Sequence, residues 1–179
     1  MIVCSDLDYI REMADRQYDE NIEFRSFVSQ FAIHEQQLDA MVQGLTLEAM
    51  AQVDCVACHN CCVQLTAQAT AAEVDRMSCC LGLSEGAFSD QYVVHSVLAD
   101  PVLKKRSGAV HGGGACALLL DGRCTVYKVR PDDCRAYPLL LGSGFRSRLW
   151  GIVDNCRVCP IVSAVYEELK AVMRPPRRR

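Results

Sequence analysis

Cys55, Cys58, Cys61 and Cys62 form the run C-x2-C-x2-C-C, and no other feature constrains the chain as much. A two-residue gap lets two thiolates converge on one ion, which makes C-x2-C the usual half-site of tetrahedral zinc. Two consecutive gaps of this kind also make the three-ligand loop of bacterial-type [4Fe-4S] proteins. Buried structural cysteines behave as scattered small hydrophobes and do not cluster at chelating gaps, so this run predicts metal. The stretch from Val53 to Cys62 is poor in long apolar side chains and predicts a ligand loop rather than a packed helix. Adjacent Cys61 and Cys62 are expected to point in different directions in helical or extended backbone. They then serve two centres, or one binds while the other packs.

The other ligands must come from afar. The chain has 12 cysteines and 4 histidines, and its second half supplies Cys116, Cys124, Cys134 and the further C-x2-C pair Cys156 and Cys159. Eight thiolates would fill two four-thiolate sites. His59, inside the run, reads more as a neighbour than as a ligand. Cys4, Cys79 and Cys80 sit in helical patterns and read as small buried hydrophobes. Tyr127, Arg130, Arg135 and Tyr137 fall between ligands. A four-thiolate centre carries a charge near -2, so Arg130 and Arg135 are candidate neighbours that neutralise it and hydrogen-bond to sulfur.

Charge and leader signals narrow the class. The formal charge is -3, and without Arg174, Arg177, Arg178 and Arg179 the body stands at about -7. A nucleic-acid-binding body would be basic, so nucleic acid is disfavoured as a partner of the body, though the arginine tail leaves an adaptor role towards nucleic acid or a protein partner open. The amino terminus has no basic n-region before an apolar h-region, which predicts a cytoplasmic chain in which disulfides do not persist. No uncharged apolar stretch is long enough to predict a membrane span. His111-Gly112-Gly113-Gly114 mimics a hydrolase oxyanion-hole run, but no G-x-S-x-G elbow accompanies it, and no catalytic residue is assigned.

Around the cysteines the pattern is mainly helical. Residues 1–54 repeat apolar side chains at helical intervals (Leu7, Ile10, Met13, then Ile22, Phe24, Phe27, Phe31, Leu38, Met41, Leu45). They predict a short and a long helix, the latter broken near Gly44, with Ser5 and Asp19 as caps, forming a support. Thr70-x2-Glu73 has the capping-box form and opens a helix to about Cys80, stopped by Gly82. Ser84 caps the next, and Pro101 to Gly114 reads as a connector. Asp121-Gly122 between apolar runs predicts a hairpin. Pro131 opens a short helix, Phe145 to Val153 reads as a strand, and Pro160 opens a last helix to about Met173. The tail 174–179 is expected to be disordered.

Cys55-x2-Cys58-x2-Cys61-Cys62, followed by Cys116-Ala-Leu-Leu-Leu-Asp-Gly-Arg-Cys124-Thr-Val-Tyr127-Lys-Val-Arg130-Pro131-Asp-Asp-Cys134-Arg135-Ala-Tyr137-Pro138, resembles the CxxCxxCC (YkgJ-like) cysteine-cluster family over roughly residues 53–160. The resemblance implies a zinc- or iron-chelating domain with about eight shared cysteines, here Cys55, Cys58, Cys61, Cys62, Cys116, Cys124, Cys134 and either Cys156 or Cys159. The expected organisation is a helical support (1–54), a cysteine-cluster domain (55–160), a helix packing on it (161–173) and the arginine tail. The expected fold is mainly α with a small β-hairpin, stabilised by metal. The expected function is metal binding at one or two cysteine-ligated iron centres, with [4Fe-4S] as one form, or zinc centres, in a structural or metal-handling role. The alternative is an iron-sulfur electron-transfer component of an enzyme system.

Overall fold

The structure, a computed structural model, describes residues 1–96, 100–106 and 114–173. It is mainly helical with two small antiparallel strand pairs. In chain order it runs α1 (Leu7–Arg16), α2 (Tyr18–Gln30), α3 (Glu35–Met50), α4 (Cys55–Cys58), α5 (Asn60–Gln64), α6 (Ala71–Leu81), α7 (Glu85–Tyr92), β1 (Val93–Val94) and β2 (Val102–Leu103). It continues with β3 (Leu119–Leu120), β4 (Arg123–Cys124), α8 (Asp132–Ala136), α9 (Leu149–Asn155) and α10 (Pro160–Met173), with single 3-10 turns at Tyr127–Val129 and Phe145–Arg148. Among the described residues no helix is long and apolar enough to cross a membrane.

The chain forms two compact units, one of residues 1–54 with 138–179 and one of residues 55–137. Residues 138–160 thus fall with the amino-terminal helices, whereas the sequence pattern groups them with the cysteine cluster.

In the first unit the amino-terminal region makes three helices rather than two. Asp6, not Ser5, caps α1, its carboxylate accepting from the Asp8 and Tyr9 amides. Asp19 lies inside the first turn of α2, whose cap residue Gln17 makes no side-chain cap bond. Gly44 does not interrupt α3, because one glycine costs a helix only about 1 kcal/mol and the face carrying Leu38, Val42, Thr46 and Ala49 is buried. The break falls at Phe31, where the backbone is extended. The strand expected over Phe145 to Val153 is a 3-10 turn leading into α9. Its buried residues Phe145, Leu149, Ile152 and Val153 follow helical spacing. The Asp39 carboxylate accepts from the Gly144 and Phe145 amides and fixes the start of that turn. α10 packs along α3 and contacts α1 and α9.

The second unit has a smaller core of Ala69, Val74, Met77, Phe88, Val93, Leu103, Leu118 and Val126. The capping box forms: Thr70 and Glu73 satisfy each other's backbone amides, and Gly82 closes α6 in the left-handed region at φ 67°. Ser84 caps α7 by accepting from the Ala87 amide. Part of the expected connector is ordered as β2, which pairs with β1 in the register Val93 to Leu103 and Val94 to Val102. His111 to Gly113 of the glycine run and the tail 174–179 lie outside the described residues. The hairpin turns at Asp121 (φ 47°) and Gly122 (φ 73°), the two positive angles that a tight two-residue turn requires.

Candidate metal centre

The expected ligand loop is two single-turn helices, α4 and α5, joined at His59 in the left-handed region (φ 35°). Two short turns satisfy backbone groups locally that an extended loop would leave to water. The break at His59 separates Cys55 and Cys58 on α4 from Cys61 and Cys62 on α5. Contrary to expectation, the Cys61 and Cys62 thiols do not diverge; they hydrogen-bond to each other.

Cys62 is the hub of a group of thiols. Its carbonyl accepts the Cys116 amide at 2.8 Å, which ties the start of the hairpin segment to the end of α5. Cys116 in turn forms an antiparallel bridge with Lys105. Cys124 follows the Asp121-Gly122 turn, and Cys134 stands on α8. Electrostatically, Cys62 acts on Cys116, Cys124 and Cys134. The structure therefore brings together Cys61, Cys62, Cys116, Cys124 and Cys134, each half-buried. Among the described residues no three Cys, His, Asp or Glu side chains stand as a ready-made coordination cage, so these thiols are neighbours rather than a closed ligand sphere.

Burial and the neighbouring sulfurs raise the pKa of Cys62, Cys116, Cys124 and Cys134. The bond to Cys61, then desolvation, lifts the Cys62 thiol far above its ordinary range. Burial pushes Cys134 up to about 12, reinforced by Cys62, Cys116 and Cys124. Cys116 and Cys124 are raised chiefly by desolvation. Two cations oppose this: Lys105 acts on Cys62 and Cys116, and Arg130 on Cys62 and Cys124. A metal entering such a group must displace protons from sulfur, because thiolate is the ligand.

A polar network fixes Cys134. Glu73, 6% exposed, accepts from the Thr70 and Asp132 amides, each at 2.7 Å. Arg76 donates to the Val129 and Arg130 carbonyls and to Asp132. One carboxylate thus caps α6 and holds the first residue of α8, two positions before Cys134.

The other sequence candidates fall as follows. Cys55 is exposed and Cys58 half-buried. Arg130 stacks on the Tyr127 ring at 3.9 Å and donates to the Tyr127 carbonyl. Arg135 turns to the Lys128 carbonyl and the Asp132 carboxylate. Cys156 and Cys159 belong to the helical unit, both buried, with the Cys156 thiol on the Ile152 carbonyl at 3.4 Å. Cys4, Cys79 and Cys80 are exposed rather than buried, and Cys80 acts on Cys124. Sequence reading missed Lys105, which lay in a stretch read as a connector. Its only signal was a Lys-Lys-Arg run in an acidic body between two ligand segments.

The donor chemistry fits a borderline-soft ion: thiols predominate, two cations lie near, and the buried His59 Nδ1 has no partner among the described residues. Residues 54–160 match the model of the CxxCxxCC family, described as a "putative zinc- or iron-chelating domain". The chain belongs to this family. No curated protein and no solved structure matches it. The CxxCxxCC match begins one residue before Cys55 and ends one residue after Cys159, so it takes in every ligand candidate.

Proposed function

We propose that residues 55–137 of this CxxCxxCC protein chelate iron or zinc through thiolates drawn from Cys55, Cys58, Cys61, Cys62, Cys116, Cys124 and Cys134. The role is structural or metal-handling, in a reducing compartment such as the cytoplasm. The convergence of five thiols from α5, the hairpin and α8 carries this reading. Cys156 is the remaining thiol of the set; its burial within the helical unit favours building the centre from the seven others. Cys61, Cys62, Cys116, Cys124 and Cys134 would supply soft anionic ligands, and Arg130 would neutralise charge beside Cys62 and Cys124.

Three cysteines in one C-x2-C-x2-C loop suit a cubane that takes one thiolate per iron and a fourth from a remote residue, which favours iron, with [4Fe-4S] as the form to look for. A bound cluster of that kind would supply one-electron chemistry and so support the electron-transfer reading. Metal analysis with visible spectroscopy on protein purified without oxygen tests both. Brown protein whose charge-transfer absorption bleaches under dithionite is expected. Colourless protein with stoichiometric zinc and no acid-labile sulfide would return the site to structural zinc. Retention of neither metal, even after reconstitution, would overturn chelation itself.

A further inference from the structure

Lys105 is 4% exposed, and an ammonium is seldom so buried without a paired charge. Its Nζ donates to the Cys62 carbonyl at 3.3 Å and the Val63 carbonyl at 3.0 Å, near the end of α5. Among the described residues no carboxylate lies within ion-pair distance of it. Burial works against its charge, and the groups that act to keep it are sulfurs: Cys116, Cys62, Cys61 and Cys134. The backbone holds it there, since residues 104–106 bond to 115–117 through Arg106 to Ala115 and Ala117 to Lys104. Lys105 thus sits beside Cys116 by register, not by a flexible side chain's choice.

We propose that Lys105 is the built-in counter-charge of the thiolate centre, a positioning residue whose ammonium is compensated when the surrounding sulfurs bind metal as thiolates. This rests on the chelation reading above. A four-thiolate centre carries a charge near -2, and a fixed buried cation stabilises that charge without depending on solvent ions. The lysine therefore raises affinity for centres of net negative charge.

Replacing Lys105 with Gln keeps donors for the two carbonyls and removes the charge; Met removes both; Arg keeps the charge. Affinity is measured with Zn2+ by competition against a chelator, using Co2+ absorption to report thiolate ligation, on full-length protein checked for helical content. Lys105→Gln and Lys105→Met should each bind at least about tenfold more weakly, equivalent to about 1.4 kcal/mol. Lys105→Arg should stay within about threefold of the parent, which a merely structural role does not predict. Equal affinity in all variants overturns the proposal, as does equal loss in Lys105→Arg. Failure of both neutral variants to reach the parent's helical content even at saturating Zn2+ assigns Lys105 to the scaffold and also overturns it. Failure of the parent protein to bind Zn2+, Co2+ or iron is a different result, because it removes the chelation reading itself.

Discussion

The two units are built on different physics. The helical unit buries large side chains along whole helices: Phe24, Leu38, Phe145, Leu149, Ile161, Tyr166 and Leu169 are all under 2% exposed. It adds a clamp, Arg146, whose guanidinium donates to the carbonyls of Val28, Ser29, Phe31 and Ile33 and to Glu35. The cysteine unit rests on a small apolar cluster, two-residue strands, two helices of 11 and 8 residues (α6 and α7) and three of four or five residues. Isolated helices shorter than about 12 residues are marginal in water, so these turns depend on what ties their ends together. Where apolar burial is thin, a metal held by the thiols would take over the task that side-chain packing performs in the other unit.

The largest effect expected from this contrast is that of metal removal. Structural zinc contributes about 10 to 16 kcal/mol in zinc-finger peptides, comparable with a whole domain's stability. Chelation should therefore collapse amide-exchange protection in residues 55–137 and leave α3 and α10 protected. Hydrogen exchange with mass spectrometry distinguishes this from uniform loss, which would show that both units depend on the ion. Cys58→Ser and Cys134→Ser should lower metal per chain, and Cys80→Ser should not. Equal loss from all three would sink the ligand assignment.

The same contrast explains what the sequence made legible. Elements specified by local chemistry were readable: the Thr70/Glu73 box, the Asp121-Gly122 turn and the start of α10 at Pro160. Metal-type spacing was readable because chelation imposes short gaps. Elements decided by tertiary partners were not. The stretch from Phe145 reads as a strand in the sequence because its helical spacing is short and its start depends on Asp39, more than a hundred residues away. Lys105 was invisible for a related reason: its meaning comes from the pairing of 104–106 with 115–117, across a segment with no periodic pattern. The hydrogen bond between the Cys61 and Cys62 thiols is a side-chain contact that spacing does not encode.

A second test breaks the helical unit instead. Phe24 is fully buried, edge-on to the Tyr166 ring at 5.3 Å and stacked with Phe27 at 5.9 Å. Phe24→Ala removes that packing and should cost about 3 to 5 kcal/mol in this unit. Metal bound per chain should not change. Denaturant melts followed by circular dichroism, together with metal analysis, check both statements, and a parallel fall in metal content would show that the units are coupled.

The smallest effect concerns the carboxylate that supports Cys134. Burial works against the charge of Glu73, but the amides of Asp132 and Thr70, the Thr70 hydroxyl and Arg76 outweigh it, so its pKa is depressed. A depressed carboxylate adds stability that is fully present above the unfolded pKa of about 4.3 and is lost as pH falls through the folded value. Glu73→Gln can still close the capping box through its single amide oxygen, and it removes the charge together with one of the two acceptors that take the Thr70 and Asp132 amides. At pH 7 the variant should be less stable than the parent by about 1 kcal/mol, the typical scale of a cap. In acid below the folded pKa, the two proteins should melt alike. Denaturation of metal-loaded parent and variant side by side across this range is the measurement, since protonation of the thiolates is common to both and cancels in the difference. A gap that persists unchanged in strong acid would mean that shape, not charge, lets Glu73 hold α6 and α8 together beneath the thiols.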